Sequence, residues 1–186
     1  WDDRHFSRRN HDRLLWYRAL SYIQIGNYSQ ALQDLYALDG RMDSSSCLRY
    51  LNGILSGLCG AGERHTVALK KDGTVLAAGD HSRNQCDIQN WTDMVAVAAG
   101  LNHTLGLKAD GTVEAVGDDT YSQCALGSWK NVLAVAAGEK HSVGLLKNGR
   151  VITAGANDYG QCDTENWTGV VAIAAGRIHT VGLRQD

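Results

Sequence analysis

The chain has 186 residues, of which 44% are hydrophobic and 20% charged, proportions that exclude bulk disorder. Its 18 basic and 20 acidic side chains leave a net charge of −2, which makes no electrostatic case for binding nucleic acid, since that needs a basic surface to neutralise phosphates. No apolar run approaches the roughly 18 residues that a membrane span needs, and no signal-peptide pattern opens the chain.

Residues 1–58 carry apolar side chains at helical spacing. Leu15, Ala19, Tyr22 and Ile23 fall along one face. Gly26 breaks that helix, and Asn27 or Ser29 can cap a second one carrying Ala31, Leu32, Leu35 and Leu38. Asp39-Gly40 stops it. Leu48, Leu51, Leu55 and Leu58 permit a third helix, while Ile54 to Cys59 can equally form the first strand of the β region. Tyr22, Gly26, Tyr28 and Ala31 together resemble a tetratricopeptide helical hairpin, where Gly permits the turn and Ala lets two helices approach.

Residues 59–186 are a repeat. VAVAAGLNHTLGLKADGT at 95–112 returns as LAVAAGEKHSVGLLKNGR at 133–150 and as VAIAAGRIHTVGL at 171–183, with an earlier AGERHTVALKKDGT at 61–74. Gly62, Gly100, Gly138 and Gly176 keep a period of 38, as do His65, His103, His141 and His179. Gln85, Gln123 and Gln161 precede Cys86, Cys124 and Cys162, and Trp91, Trp129 and Trp167 close each unit. There are three full units and part of a fourth.

Each unit reads as three short strands. In the second unit these are strand A (Val95 to Ala99), strand B (His103 to Lys108) and strand C (Thr112 to Gly117). Asp72-Gly73, Asp110-Gly111 and Asn148-Gly149 join B to C and predict tight type I′ hairpins. Small antiparallel units of regular length point to a mainly β chain, a partial β-propeller of three-stranded blades behind a small helical hairpin. An arc leaves open edges, which natural proteins avoid. The chain is therefore expected to be a piece of a longer protein or to self-associate through those edges, and its start at Trp1 rather than Met agrees with the first alternative.

The pattern AAG-x-x-H-T-x-x-L-K-x-D-G-T-V-x-A-x-G…GQC…W resembles the regulator-of-chromosome-condensation repeat family over about 54–186. The likeness is to its short bacterial form, also found in a propeller-type β-lactamase inhibitor protein. It implies a seven-bladed propeller that binds proteins and catalyses nothing, and this chain is too short for seven blades. An inhibitor of an enzyme, an exchange factor or a structural spacer are the alternative roles.

No enzyme is expected. The histidines come one per blade, whereas catalysis needs different residues converging on one place. They are read as buried or half-buried structural groups with no metal. The tryptophans are read as packing, the Asp-Gly pairs as turns, and the cysteines as small buried thiols whose odd number favours a reducing compartment, an extracellular one remaining open. No cofactor is expected. Strand direction puts the A–B turns and the exits from strand C on one face. There the repeats differ, and Arg83, Tyr121 and Tyr159, with Arg64, Asn102, Lys140 and Arg177, are the candidate residues for binding a protein partner.

Overall fold

The computed structural model describes residues 12, 14–19, 21–22, 30–31, 34, 37–38, 58–70 and 72–184. The chain divides into two compact units, Trp1–Ile54 and Leu55–Asp186. In the first unit the described residues are helical. Leu15, Ala19, Ala31 and Leu38 are buried. The guanidinium of Arg18 donates two hydrogen bonds of 2.7 Å to the carboxylate of Asp34. The expected positions Ile23, Gly26, Asn27, Tyr28, Ser29, Leu32 and Leu35, and the segment 39–57, lie outside the described residues.

The second unit holds eleven strands among its described residues. They are β1 (Cys59–Ala61), β2 (His65–Leu69), β3 (Val75–Gly79), β4 (Met94–Ala99), β5 (His103–Lys108), β6 (Val113–Gly117), β7 (Val132–Ala137), β8 (His141–Leu146), β9 (Val151–Gly155), β10 (Val170–Ala175) and β11 (Thr180–Arg184). They form three sheets of three strands, β1-β2-β3, β4-β5-β6 and β7-β8-β9, and a two-stranded sheet β10-β11, with every pairing antiparallel. Each sheet is one repeat of the sequence. Strand A of the first sheet is Cys59–Ala61, which starts where the expected strand Ile54 to Cys59 ends; residues 44–57, over which the two readings differ, lie outside the described residues.

The apolar cores lie between consecutive sheets. Val67, Val75, Ile88, Trp91, Met94 and Val97 fill the first interface. Leu105, Leu107, Val113, Leu126, Trp129 and Val132 fill the second, and Val143, Leu145, Val151 and Val170 the third. Small residues in strand A let the sheets close on one another. A Cβ on Gly60 of β1 would stand 2.7 Å from the backbone nitrogen of Ala99 in β4. Each sheet therefore contributes one wall of a core that its successor completes, as stacked repeats require.

The B–C hairpins differ from the expected type I′. Only the glycine has a positive φ: Gly73 at 80°, Gly111 at 85° and Gly149 at 79°. The amide of Gly73 donates to Lys70 O at 3.0 Å, and that of Gly111 to Lys108 O at 2.9 Å. At Gly111 and Gly149 this is a three-residue loop, a type I turn followed by a left-handed glycine. The aspartate explains the change. Asp72 Oδ1 accepts from Thr74 N, and Asp110 Oδ1 from Thr112 N, both at 2.9 Å. That local ring holds the aspartate at negative φ and leaves glycine alone to supply the left-handed residue.

Candidate functional site

Backbone hydrogen bonds tie each exit from strand C to the A–B turn of its own sheet. Asp80 N donates to Arg64 O at 2.8 Å, Asp118 N to Asn102 O at 2.8 Å, and Ala156 N to Lys140 O at 2.9 Å. The hairpins lie at the other end, where Gly73 O accepts from Met94 N and Gly111 O from Val132 N, both at 3.0 Å. The seven candidate residues thus share one end of the arc, opposite the Asp-Gly hairpins.

Local side chains shape the exit loops. The buried Gln85, Gln123 and Gln161 each accept, through Oε1, a 2.9 Å hydrogen bond from the amide two residues earlier, that of Arg83, Tyr121 and Tyr159. One clamp therefore holds three repeat-equivalent positions, and their side chains point outward. Asp118 accepts from Thr120 N at 3.2 Å, and Asp119 from Cys124 N at 2.7 Å. The thiols are half-buried rather than buried. They donate to Asp80 O at 3.3 Å, Asp118 O at 3.5 Å and Ala156 O at 3.3 Å, because the loop leaves one side of each open. Burial pushes the Cys124 thiol up to about 12, so it stays protonated and unreactive. Sequence reading saw these glutamines only as landmarks.

The histidines join successive sheets. Nε2 of His65 lies 2.9 Å from Thr104 Oγ1, that of His103 lies 3.1 Å from Ser142 Oγ, and that of His141 lies 3.1 Å from Thr180 Oγ1. Each hydroxyl also donates at 2.7 Å to a carbonyl of the preceding repeat, those of Gln85, Gln123 and Gln161. A hydroxyl has one proton, and the carbonyl takes it. The imidazole must then donate from Nε2–H, which leaves Nδ1 as a bare acceptor. Nδ1 of all three rings is buried with no hydrogen-bond partner. Burial lowers each imidazole below its usual range, His103 to about 4, with the neighbouring imidazoles adding to the effect there. His65, His103 and His141 are buried as expected. His179 is exposed, because no further sheet lies against β11 among the described residues. The partner hydroxyls were missed from sequence. Their signal was a Ser or Thr following every one of the four histidines.

The candidate side chains make a mixed polar and aromatic surface. Tyr159 is 72% exposed and Tyr121 41%. Lys140 Nζ sits 4.9 Å from the centre of the Tyr121 ring, a cation–π contact across two repeats. Arg177 donates to Glu139 Oε2, also across two repeats, while most of its own side chain remains exposed. Arg83 lies 3.9 Å from Asp118. Arg64 is exposed and Asn102 half-buried. Among the described residues no group of three or more His, Cys, Asp or Glu side chains could hold a metal ion.

The family profile described as "Regulator of chromosome condensation (RCC1) repeat" matches residues 60–85, 94–123 and 132–161. The chain carries three RCC1-type repeats. Each match begins at or near strand A and ends at or next to the Gln-Cys pair that clamps the exit loop. No curated protein matches by sequence. Among solved structures, Prp20p from Saccharomyces cerevisiae, reported with its binding to Gsp1p and histones, is similar with a TM-score of 0.58 and 20% identity, over 68% of this chain and 42% of that one. The yeast protein with Kap60 bound gives 0.59 and 22%, over 68% and 41%. The CRINKLY WD40 ectodomain of the Arabidopsis thaliana receptor kinase ACR4 gives 0.54 and 22%, over 69% and 45%. The chain spans less than half the length of these structures, and at such identities the likeness shows the fold. Among the described residues no helix is long and apolar enough to cross a membrane.

Proposed function

We propose that this RCC1-type chain is a non-catalytic protein-binding module. It recognises its partner through the end of the arc that carries Arg83, Tyr121 and Tyr159, with Arg64, Asn102, Lys140 and Arg177 around them. One observation carries the reading. A single buried glutamine clamp recurs at all three exit loops, while the side chains it presents are Arg, Tyr and Tyr. A constant frame with variable, exposed anchors is the arrangement of a recognition surface. Protein binding by Prp20p, and by the same protein with Kap60, is consistent with that use of the fold. The engagement of three landmark histidines in sheet-to-sheet bonds supports a role without catalysis. The 38-residue period favours the short bacterial form of the repeat. The helical unit, read as a tetratricopeptide-like hairpin, would supply a second contact surface.

The test is a partner captured by the intact chain, with affinity measured for substituted chains. Tyr121→Ala combined with Tyr159→Ala should weaken binding about thirtyfold, the worth of one well-packed anchor. The Tm should move by no more than about 4 °C, since only an exposed cation–π contact is lost. Lys147→Ala, at the hairpin end, should leave affinity unchanged. Loss of binding in Lys147→Ala and not in the tyrosine pair would place recognition at the wrong end and sink the proposal.

A further inference from the structure

Each buried imidazole begins a relay that ends at a candidate anchor. Nε2–H of His103 donates to Ser142 Oγ in the next sheet, that hydroxyl donates back to the carbonyl of Gln123, and Gln123 Oε1 accepts the amide of Tyr121. His65 reaches Arg83 through Thr104 and Gln85, and His141 reaches Tyr159 through Thr180 and Gln161. The relay crosses from one sheet to the next and returns. It therefore fixes both the register of adjacent sheets and the shape of the exit loop.

We propose that the column His65, His103 and His141 is an acid-sensitive latch, closed while the imidazoles are neutral and opened by their protonation, which frees the exit loops before the sheets themselves unfold. A second proton has only Nδ1 to go to, and Nδ1 is buried without a partner. The space beside it is closed. A Cβ on Gly100 would stand 2.5 Å from Nδ1 of His103, so the ring already lies against the backbone of the A–B turn. A buried N–H⁺ with no acceptor costs more than the ring's contacts return, and the ring leaves its site. Leaving breaks the Nε2–H bond, so the serine or threonine loses the donor that anchors its oxygen to the other sheet, and its remaining bond to the glutamine carbonyl is no longer held in place or strengthened by the relay.

The charges around the column do not remove that cost. Asp80 and the backbone of His103 face His65, and Asp118 and Asp119 face His103; these groups favour the imidazolium but are outweighed by burial. Asp80 and Asp118 are engaged with Ser82 and Thr120, and Asp119 with Cys124 N. The imidazoles of His65 and His141 face His103, and His179 faces His141, so protonation of one opposes protonation of the next. This device concerns loop order and stands apart from which partner the loops bind.

Amide hydrogen exchange on the intact chain at pH 7 and pH 5, corrected for intrinsic rates, tests it. With His103 near 4 in place and near 6.5 once released, the open population should rise about twentyfold between those pH values. Protection of the Tyr121 amide should fall by about that factor. The Gly111 amide, in the hairpin at the far end of the same sheet, should change less than about twofold if opening is local. An equal fall at both amides, or none at Tyr121, overturns the latch. His103→Gln keeps a donor and cannot titrate, so the pH effect at Tyr121 should vanish; its persistence overturns the assignment to His103. Ser142→Ala cuts the relay with little loss of volume. It should leave Tyr121 poorly protected at both pH values, and full protection at pH 7 would equally overturn it.

Discussion

The ring of Trp91, which closes the first repeat, lies on Gly106, in the middle of strand β5 of the second. A Cβ at Gly106 would stand 2.6 Å from Cζ3 of that ring. Trp129 lies on Gly144 and Trp167 on Gly182 in the same way, each at 2.7 Å. The tryptophan of one repeat is therefore the far wall of the next, and the glycine in strand B is the hollow that receives it.

Gly144→Ala should destabilise the chain. The new methyl would meet Trp129 Cζ3 at 2.7 Å and Cε3 at 2.9 Å, with Ile152 Cγ1 at 3.1 Å behind. Overpacking of this kind costs about 1–3 kcal/mol. Gly127→Ala is the matched comparison. Nothing lies within 4 Å of its added methyl, and its φ is not positive. It should be neutral or stabilise by up to about 1 kcal/mol, through the lost freedom of the unfolded chain. Urea unfolding of both variants decides the matter. Equal midpoints would show that the Trp–Gly contact yields without cost.

Stability should fall as the solution is acidified through the histidine range. The folded site holds His103 near 4, and His65 and His141 are also lowered, while in the unfolded chain all titrate near 6.5. Below about pH 6.5 the unfolded state binds protons that the folded state refuses, so unfolding becomes easier as pH drops. The loss is complete for His103 near pH 4 and amounts to about 3 kcal/mol for that residue. The carboxylates Asp72, Asp80, Asp110 and Asp118 are lowered by their hydrogen bonds and act only at more acid pH. Urea midpoints should therefore be level above pH 7 and decline between pH 6.5 and 4. A flat profile down to pH 4 contradicts the depressed histidines.

The strands were legible because Val/Ala alternation and the recurring glycines repeat three times, which averages out local ambiguity. The end of the arc that gathers the candidate loops was legible too, since strand direction alone dictates it. The turn type was not. Asp-Gly reads the same in a two-residue and a three-residue loop, and only the bond from Asp110 to Thr112 N decides between them. The histidine partners were hidden for a different reason. His103 meets Ser142, 39 residues away, so the contact exists only once one repeat is laid on the next. Gln123 was hidden because its work is to hold the backbone of Tyr121, which no residue type advertises.

The exit loops contain a natural comparison that yields a last prediction. Each passes through one residue in the left-handed region just before the glutamine: Asn84 at φ 64°, Ser122 at 62° and Gly160 at 75°. The backbone is the same in all three, and only the third repeat uses the residue that occupies this region freely. A left-handed conformation costs a non-glycine residue about 1–2 kcal/mol, less for Asn, whose side chain tolerates it. Glycine returns about 0.5–1 kcal/mol of that as extra entropy of the unfolded chain. Ser122→Gly should therefore stabilise by up to about 1 kcal/mol, and Asn84→Gly by less. Ser122→Val should destabilise, because a β-branched side chain fits this region worst. Urea unfolding of the three variants tests the order Ser122→Gly above Asn84→Gly above Ser122→Val. If Asn84→Gly gains as much as Ser122→Gly, backbone strain is not what distinguishes the two loops.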